Sequence, residues 1–527
     1  MTPRSAPTIG ILSTGLLIGA AAAAPGLRLW AGAPSEIPDV YKLVVVAGAF
    51  ALLGVGLFLG FRRLIGDRRI AAFACFVALL ALTSGGRLLA DQPWSVRWLA
   101  ALLGVAVAIA IMIRLRGWWL LDAIVFASAL ALLIPPALEG ARHVWLTRDE
   151  SGPTATVYPD LPAMGERPDI VLIIVDGYTS LPVLDALFGY NDSYLPRELN
   201  DRGFALVDAP FSPYPMTHLT LSSLLELDYV AQDEPSTSTE DGRALHQVIG
   251  GDSYLVRLLE ENNYSITMVE SGWHFSTCGA MVEVCVNAPF IDEGVGVVLE
   301  QSLLWSFLEP SVGSAFTLGS TQAMNWAASN LNRIVHNDEP DFVFVHVLAP
   351  HPPLYLDPNC RVAQGEQRQL GETVSLVDVD TETARARVDG YVNQVKCVDQ
   401  FIREIAGEVE GSDSLVVITG DHGSDSMSQL VADPEDWTDP QVLERMSVFL
   451  AVKPTEGCEN PASLVTLPLF RTLVSCAGDL GLDPLEDRSF LVSITSGTAG
   501  VPMRGLDADD LQRFARCLEE IDAELRC

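Results

Sequence analysis

Basic charge is what this sequence lacks most. It holds 3 lysines (Lys42, Lys396 and Lys453) and 30 arginines against 67 Asp+Glu. Charged residues make up 19%, below the roughly 25% of ordinary soluble domains. The few basic residues are displaced towards one end. Residues 1–145 carry a net charge of +6 and the remainder a net charge of -40. The acidic remainder therefore cannot coat nucleic acid or lie flat on an anionic bilayer, since both need basic surface. Its many Val, Leu and Ile residues exclude long disorder. Cys-x-x-Cys pairs and zinc-finger Cys/His spacings are also missing, which removes structural zinc modules. So strong a preference for arginine over lysine is associated with a GC-rich bacterial genome.

What is present begins with apolar runs, and the mean hydropathy of +0.28 already points to a membrane component. Five runs fall at about 8–25, 42–61, 70–86, 98–113 and 117–136. A spanning helix needs about 20 apolar residues. The first, second and fifth runs meet this, and the third and fourth are short. With the N-terminus inside, the cytoplasmic segments hold Arg4, Arg62, Arg63, Arg68, Arg69, Arg114 and Arg116. The outer loops hold Arg28, Arg87 and Arg97. That bias places the acidic part outside the cytoplasm. Ala20–Ala24 also reads as a signal-cleavage region; cleavage would leave four spans and the same orientation. The expected division is a membrane domain over 1–140, a Pro-containing linker over 141–168 and an exported domain over 169–527.

Eight of the nine cysteines lie in the exported part, an even count that suits disulfides outside the cytoplasm. Eight cysteines allow 105 connectivities. Pairing of sequence neighbours (278–285, 360–397, 458–476, 517–527) is the simplest choice.

The exported part alternates short β-branched runs with helical patterns. Runs at 169–175, 265–269, 342–348, 415–419 and 447–452 read as strands. Segments 253–262, 320–335, 384–408 and 468–480 read as helices, and 507–524 as an acidic amphipathic helix. This rhythm predicts an α/β domain with a mainly parallel sheet, whose site lies at the carboxyl ends of the strands. Three such ends carry reactive residues. The first strand ends in Asp176-Gly177. The 415–419 strand runs into Gly420-Asp421-His422-Gly423. The 342–348 strand runs into Pro350-His351-Pro352-Pro353. Thr217-His218 lies in a loop entering a helix. Asp-Gly after a strand reads, by itself, as a turn. Together the three ends describe an oxygen/nitrogen metal site suited to Zn²⁺ or Mn²⁺, beside a hydroxyl that the metal can activate.

These segments resemble the alkaline phosphatase/sulfatase superfamily. PDIVLIIVDGYTS is similar to its first metal strand, VVITGDHGSD to its second, FVHVLAPHPPLYLDP to its substrate-side His-x-Pro segment, and THLTLSSLL to its nucleophile helix. Five N-terminal helices narrow the likeness to the membrane-anchored branch of lipoteichoic acid synthases (phosphoglycerol transferases) and phosphoethanolamine transferases. The resemblance implies one divalent ion, Mn²⁺ or Zn²⁺ with Mg²⁺ as a further choice, on Asp176, Thr217, Asp421 and His422. It implies Thr217 as nucleophile and His351 as the group at the substrate phosphate or leaving group. His218, His274 and His346 are weaker candidates, better suited to supporting roles.

The chain departs from sulfatases at the nucleophile. They carry Cys or Ser in C/S-x-P/A-S-R, whereas Thr217 stands here without the matching Arg. No Asp-x-x-x-His segment for a second metal is present. The expected reaction moves phosphoglycerol or phosphoethanolamine from a membrane phospholipid, through phospho-threonine, to a glycan or lipid acceptor of the bacterial envelope. The alternatives are a membrane-anchored phosphate or sulfate ester hydrolase and a non-catalytic envelope sensor or scaffold.

Overall fold

The computed structural model describes residues 11–32, 40–86, 92–114, 119–147, 161–192, 194–232, 239, 243–273, 275–364, 374–493, 503–521 and 525. The helices are α1 (Ile11–Gly32), α2 (Val40–Ile65), α3 (Arg68–Ser84), α4 (Trp94–Arg114), α5 (Trp119–Thr147), α6 (Leu181–Phe188), α7 (Leu195–Asp201), α8 (Thr217–Glu226), α9 (Leu245–Ile249), α10 (Tyr254–Glu261), α11 (Glu293–Glu300), α12 (Trp305–Val312), α13 (Ala315–Ile334), α14 (Thr381–Glu408), α15 (Asp439–Met446), α16 (Thr466–Ala477) and α17 (Ala508–Glu519). The chain divides into two compact units. Residues 1–154 with 290–312 form one, and 155–289 with 313–527 form the other. Residues 290–312, inside the exported part by sequence, thus group with the apolar helices.

In the first unit, α1, α2, α4 and α5 contain stretches long and apolar enough to cross a membrane. The fourth run is longer than its sequence pattern indicated, because Trp94–Arg97 join α4. Helix α3 has 17 residues, about 25 Å at 1.5 Å per residue, short of a core of about 30 Å. Helix α5 continues past the expected boundary at 140 to Thr147. Small residues set the packing. Ala20, Ala21, Ala22 and Ala24 of α1 and Ala71, Ala72 and Ala74 of α3 are buried, so backbones approach closely, as spanning helices require. Thr83 Oγ1 donates to the Ala21 carbonyl at 3.2 Å, and Cys75 Sγ to the Gly54 carbonyl at 3.0 Å. A Cβ at Gly54 would lie 2.7 Å from Ile18 Cγ2 and 2.8 Å from Leu79 Cδ2.

In the second unit, a seven-stranded sheet has the order β2-β7-β6-β1-β5-β3-β4. The strands are β1 (Ile170–Val175), β2 (Ala205–Leu206), β3 (Ser265–Val269), β4 (Val284–Val286), β5 (Asp341–Val347), β6 (Leu415–Thr419) and β7 (Leu450–Lys453). The pairs β1–β5, β1–β6, β3–β5 and β3–β4 are parallel. The pairs β6–β7 and β2–β7 are antiparallel. The expected mainly parallel α/β sheet is therefore present, with one antiparallel margin. Strand β1 reads IVLIIV and is buried throughout because both its faces are covered. Val171, Ile173 and Val175 enter one core with α13 and α14. Ile170, Leu172 and Ile174 enter another with α8, α10 and α16. Each such side chain contributes about 1.5–3 kcal/mol on burial. Helix boundaries differ from the sequence reading by a few residues, and the 447–452 strand is regular over 450–453.

Disulfides join Cys278–Cys285, Cys360–Cys397 and Cys458–Cys476, as sequence-neighbour pairing predicted. Cys517 is also disulfide-bonded, while Cys527 lies outside the described residues. A two-stranded sheet, β8 (Ser489–Leu491) with β9 (Arg504–Leu506), precedes α17.

Gly54→Val should lower the stability of the apolar unit by about 1–3 kcal/mol through overpacking. Gly104→Val on α4, where nothing lies within 4 Å of a built Cβ, should leave it unchanged. Thermal unfolding midpoints in detergent compare the two.

Candidate metal centre

Three neighbouring strands deliver their carboxyl ends to one point. Asp176 follows β1, and its N–H donates to the Val347 carbonyl at the end of β5 (2.9 Å), extending the ladder one residue. The chain then turns sharply at Gly177, where φ is +73°, a conformation costly for residues with a Cβ. The turn is fixed from α14. Tyr391 donates to the Gly177 carbonyl at 2.7 Å, and Tyr178, stacked on Phe449, donates to Asp399 Oδ1 at 2.5 Å. Asp421-His422 follow β6. At Gly423 a Cβ would lie 2.0 Å from the Glu444 carbonyl oxygen, so the backbone approach there admits only glycine.

The side chains converge. Thr217 Oγ1 lies 3.1 Å from His422 Nε2. Asp421 Oδ2 lies 3.3 Å and Asp176 Oδ1 3.4 Å from the same nitrogen. Both carboxylate oxygens are buried and have no hydrogen-bond partner. The other oxygen of Asp421 is engaged, accepting from the N–H groups of Gly177 and His422, each at 3.0 Å. His422 Nδ1 lies 2.9 Å from the Gly423 carbonyl, so it carries the proton and leaves Nε2 a lone pair.

Two unpartnered carboxylate oxygens, an imidazole lone pair and a hydroxyl form a donor set that calls for a cation. Four donors at 2.0–2.1 Å from a tetrahedral ion stand about 3.3 Å apart, and the three separations from His422 Nε2, 3.1–3.4 Å, match. Electrostatics agree. Burial, then the Arg445 charge, holds His422 well below its usual pKa, hence neutral. Burial and the Asp176 charge push Asp421 up. At Asp176 burial opposes ionisation, but the surrounding histidines, His351 first, outweigh it and hold the carboxyl below the usual range.

The sequence-selected set is thus brought together at Asp176, Thr217, Asp421 and His422. His351 stands on the same rim. Its N–H donates to the Asp176 carbonyl at 2.9 Å, and its ring centre is 6.0 Å from that of His422. His346, on β5, is fully buried, with Nε2 3.5 Å from Asp176 Oδ2 and Nδ1 3.3 Å from Ser271 Oγ. Its place is behind the first aspartate. His218 is not in the cluster; its ring stacks on Phe275 at 5.6 Å. His274 lies outside the described residues.

Sequence reasoning missed Arg445. This buried guanidinium donates Nε and Nη2 to the Pro215 carbonyl at 3.0 and 2.6 Å, and Nη1 to the Gly423 carbonyl at 2.8 Å. It therefore ties the loop before Thr217 to the loop after His422. Burial pulls the Arg445 pKa below its usual value, opposed by the charges of Asp425, Asp421, Asp176 and Glu444. Glu444 in turn accepts from Ser424 Oγ and the Ser426 N–H, both at 2.6 Å. No motif or spacing in the sequence signals this pair.

A family profile described as Sulfatase matches residues 168–444. Among curated proteins none matches the sequence. The solved structures that resemble the chain include the C-terminal periplasmic domain of EcEptC from Escherichia coli in complex with Zn. That likeness has 11% identity and a TM-score of 0.40, and covers 66% of this chain and 97% of that one. BT1596, a 2-O GAG sulfatase, has 15% identity and a TM-score of 0.39, covering 63% and 74%. The integral membrane lipooligosaccharide phosphoethanolamine transferase A of Neisseria meningitidis has 16% identity and a TM-score of 0.33, covering 79% and 77%.

Asp421→Asn and His422→Ala should each weaken zinc binding by at least about tenfold, and His351→Ala should leave it intact. Metal titration of the purified chain with a competing chelator reads this without reference to activity.

Proposed function

The chain belongs to the sulfatase family, and from that premise we propose that it transfers a phospho-head group from a membrane phospholipid to a hydroxyl acceptor of the cell envelope. The observation that carries this reading is the convergence of Thr217 Oγ1 with Asp176 Oδ1, Asp421 Oδ2 and His422 Nε2. A hydroxyl held among metal donors is a nucleophile for phosphorus. Threonine has no route to the formylglycine of sulfate-ester hydrolysis, which turns the chemistry from sulfate to phosphate.

A single Zn²⁺ or Mn²⁺ held by these four residues would polarise the phosphoryl group and lower the pKa of the hydroxyl. Thr217 Oγ1, its proton given up to solvent, attacks phosphorus as the alkoxide. The bond to the diacylglycerol oxygen breaks, and a protonated His351 hands that oxygen its proton. Phosphoglycerol or phosphoethanolamine is left on Thr217. An acceptor hydroxyl on a glycan or lipid then gives its proton to His351 and attacks the same phosphorus, releasing Thr217 as the alkoxide again. Asp176 and Asp421 hold position throughout, the first backed by His346, and Arg445 keeps Thr217 in register with His422. Apolar helices on the same chain favour a lipid-borne donor. Water in place of the acceptor would make the protein a phosphodiesterase.

The proposed setting is the bacterial cytoplasmic membrane with the second unit outside. Three disulfides within that unit suit an oxidising compartment. Intact cells should label Gln92→Cys with an impermeant maleimide, whereas Arg114→Cys should react only after permeabilisation.

Purified protein incubated with fluorescent-acyl phosphatidylglycerol or phosphatidylethanolamine and Mn²⁺ or Zn²⁺ should release diacylglycerol. Thr217→Ala should cut that release by at least about 10³-fold while binding metal. Full turnover in that variant, with metal bound, would remove Thr217 as nucleophile. Head-group transfer to water alone would identify the phosphodiesterase.

A further inference from the structure

Residues 290–312 leave the second unit's chain, pack among the apolar helices and return. Among the described residues, their polar contacts with those helices fall at three helix ends. Lys42, at the start of α2, pairs with Asp292 at 2.7 Å. At the end of α3, the Gly86 N–H donates to the Gln301 carbonyl and the Leu303 N–H to the Leu82 carbonyl, both at 2.8 Å. At the start of α4, Trp94 Nε1 donates to Glu309 at 3.3 Å and Trp98 Nε1 to Ser306 Oγ at 3.1 Å. The start of α2, the end of α3 and the start of α4 are thereby gathered against the same short segment. Arg62, Arg63, Arg68, Arg69 and Arg114 stand at the opposite ends.

The two short helices of this segment have different surroundings. Helix α11 buries Val295 and Val298 in the core that holds Leu43 and Val46 of α2. Helix α12 buries Trp305 but leaves Phe307 68% and Leu308 38% exposed. The Phe307 ring lies 5.8 Å from that of Trp98. Trp98 belongs to the turn of α4 that carries Leu99, and Leu99, Leu102 and Leu103 are 67%, 62% and 63% exposed. In a spanning helix such a face meets acyl chains, and Phe307 continues it. Trp94 and Trp98, with Arg97 over the Trp94 ring at 4.4 Å, mark the headgroup level where tryptophan collects.

We propose that residues 290–312 are a membrane-return element that inserts Phe307 and Leu308 into the acyl–headgroup boundary of the bilayer. Its ionisable residues are Asp292, Glu293, Glu300 and Glu309, all acidic, so the attachment is apolar insertion and not attraction to anionic lipid. The segment gives the exported chain a second attachment to the membrane besides the spans, independent of the chemistry at Thr217.

The test is photocrosslinking of the full chain in nanodiscs of phosphatidylethanolamine and phosphatidylglycerol. Phe307→benzoylphenylalanine is compared with the same replacement at Tyr194, an exposed aromatic residue of the second unit. Position 307 should give roughly tenfold more phospholipid adduct, unchanged when the phosphatidylglycerol fraction is varied. Adducts at 307 only to protein, from a second copy or from the same chain, would overturn the proposal. Lipid adduct no greater than at 194 would overturn it as well. Should the variant at 307 fail to accumulate, Leu308→benzoylphenylalanine gives the same reading. Diacylglycerol release is not measured, so a failure of the catalytic reading leaves this result untouched.

Discussion

Two buried carboxylate oxygens facing one imidazole nitrogen form the constraint on which the second unit depends. Asp176 Oδ1 and Asp421 Oδ2 have neither solvent nor a hydrogen-bond donor, and like charges so placed repel. A cation resolves the conflict, and the surrounding architecture holds the conflict in place. The parallel pairing of β1 with β5 and β6 fixes where the strands end. The turn at Gly177 and the close approach at Gly423 fix how the chain leaves them. Arg445 binds the carbonyls on either side of the cluster, so the Thr217 loop cannot drift from the His422 loop. A buried guanidinium adds charge of the sign that the two aspartates need. That placement also makes it costly to disturb, since breaking a buried ion network leaves uncompensated charge worth about 3–5 kcal/mol.

Asp176, Asp421 and His422 were legible as candidate donors because they sit where periodic patterns end. DIVLIIV and LVVIT are continuous apolar runs, and a polar residue immediately after such a run lies at the carboxyl end of a buried strand. His351 was legible because the loop that carries it leaves the same end of the sheet, four residues after β5. Arg445 was not. A buried arginine in a short helix has the same local pattern as a solvated one, and its partners, Pro215 and Gly423, offer backbone carbonyls that no sequence pattern marks. His346 was read as a supporting residue because it sits inside an apolar strand, but its partner was not legible. Its contact with Asp176 depends on the register of β5 against β1, which pairs His346 with Ile174.

Residues 290–312 escaped notice for another reason. Each of their helices is 8 residues long, well below spanning length, and they lie amid ordinary α/β sequence. The apolar runs of the first 140 residues announced themselves by length, yet length did not reveal which helices are enclosed. Helix α3, the shortest, is lined with buried Ala71, Ala72, Ala74, Cys75 and Leu79, while the longer α4 presents Leu99, Leu102 and Leu103 outward. Small side chains let α3 fit between neighbours, so burial follows residue size more closely than run length.

The choice of threonine can be weighed against its position at the start of α8. Helices α10, α13 and α14 begin with Ser253, Ser314 and Asp380, whose side chains accept from first-turn N–H groups. Helix α8 begins with Met216, which offers no such acceptor. The first N–H groups of a helix have no intrahelical partner and carry partial positive charge. An anionic group on Thr217 would meet that end of α8 from one side and the metal donors from the other. A capping serine or aspartate at position 216 would compete for the same N–H groups and, if acidic, repel the phosphoryl oxygens. The uncapped start of α8 and the crowded oxygens of Asp176 and Asp421 are thus two halves of one arrangement. A phosphoryl group carried on Thr217, as proposed, would meet the partial positive charge at the start of α8, and a divalent ion would meet the carboxylates.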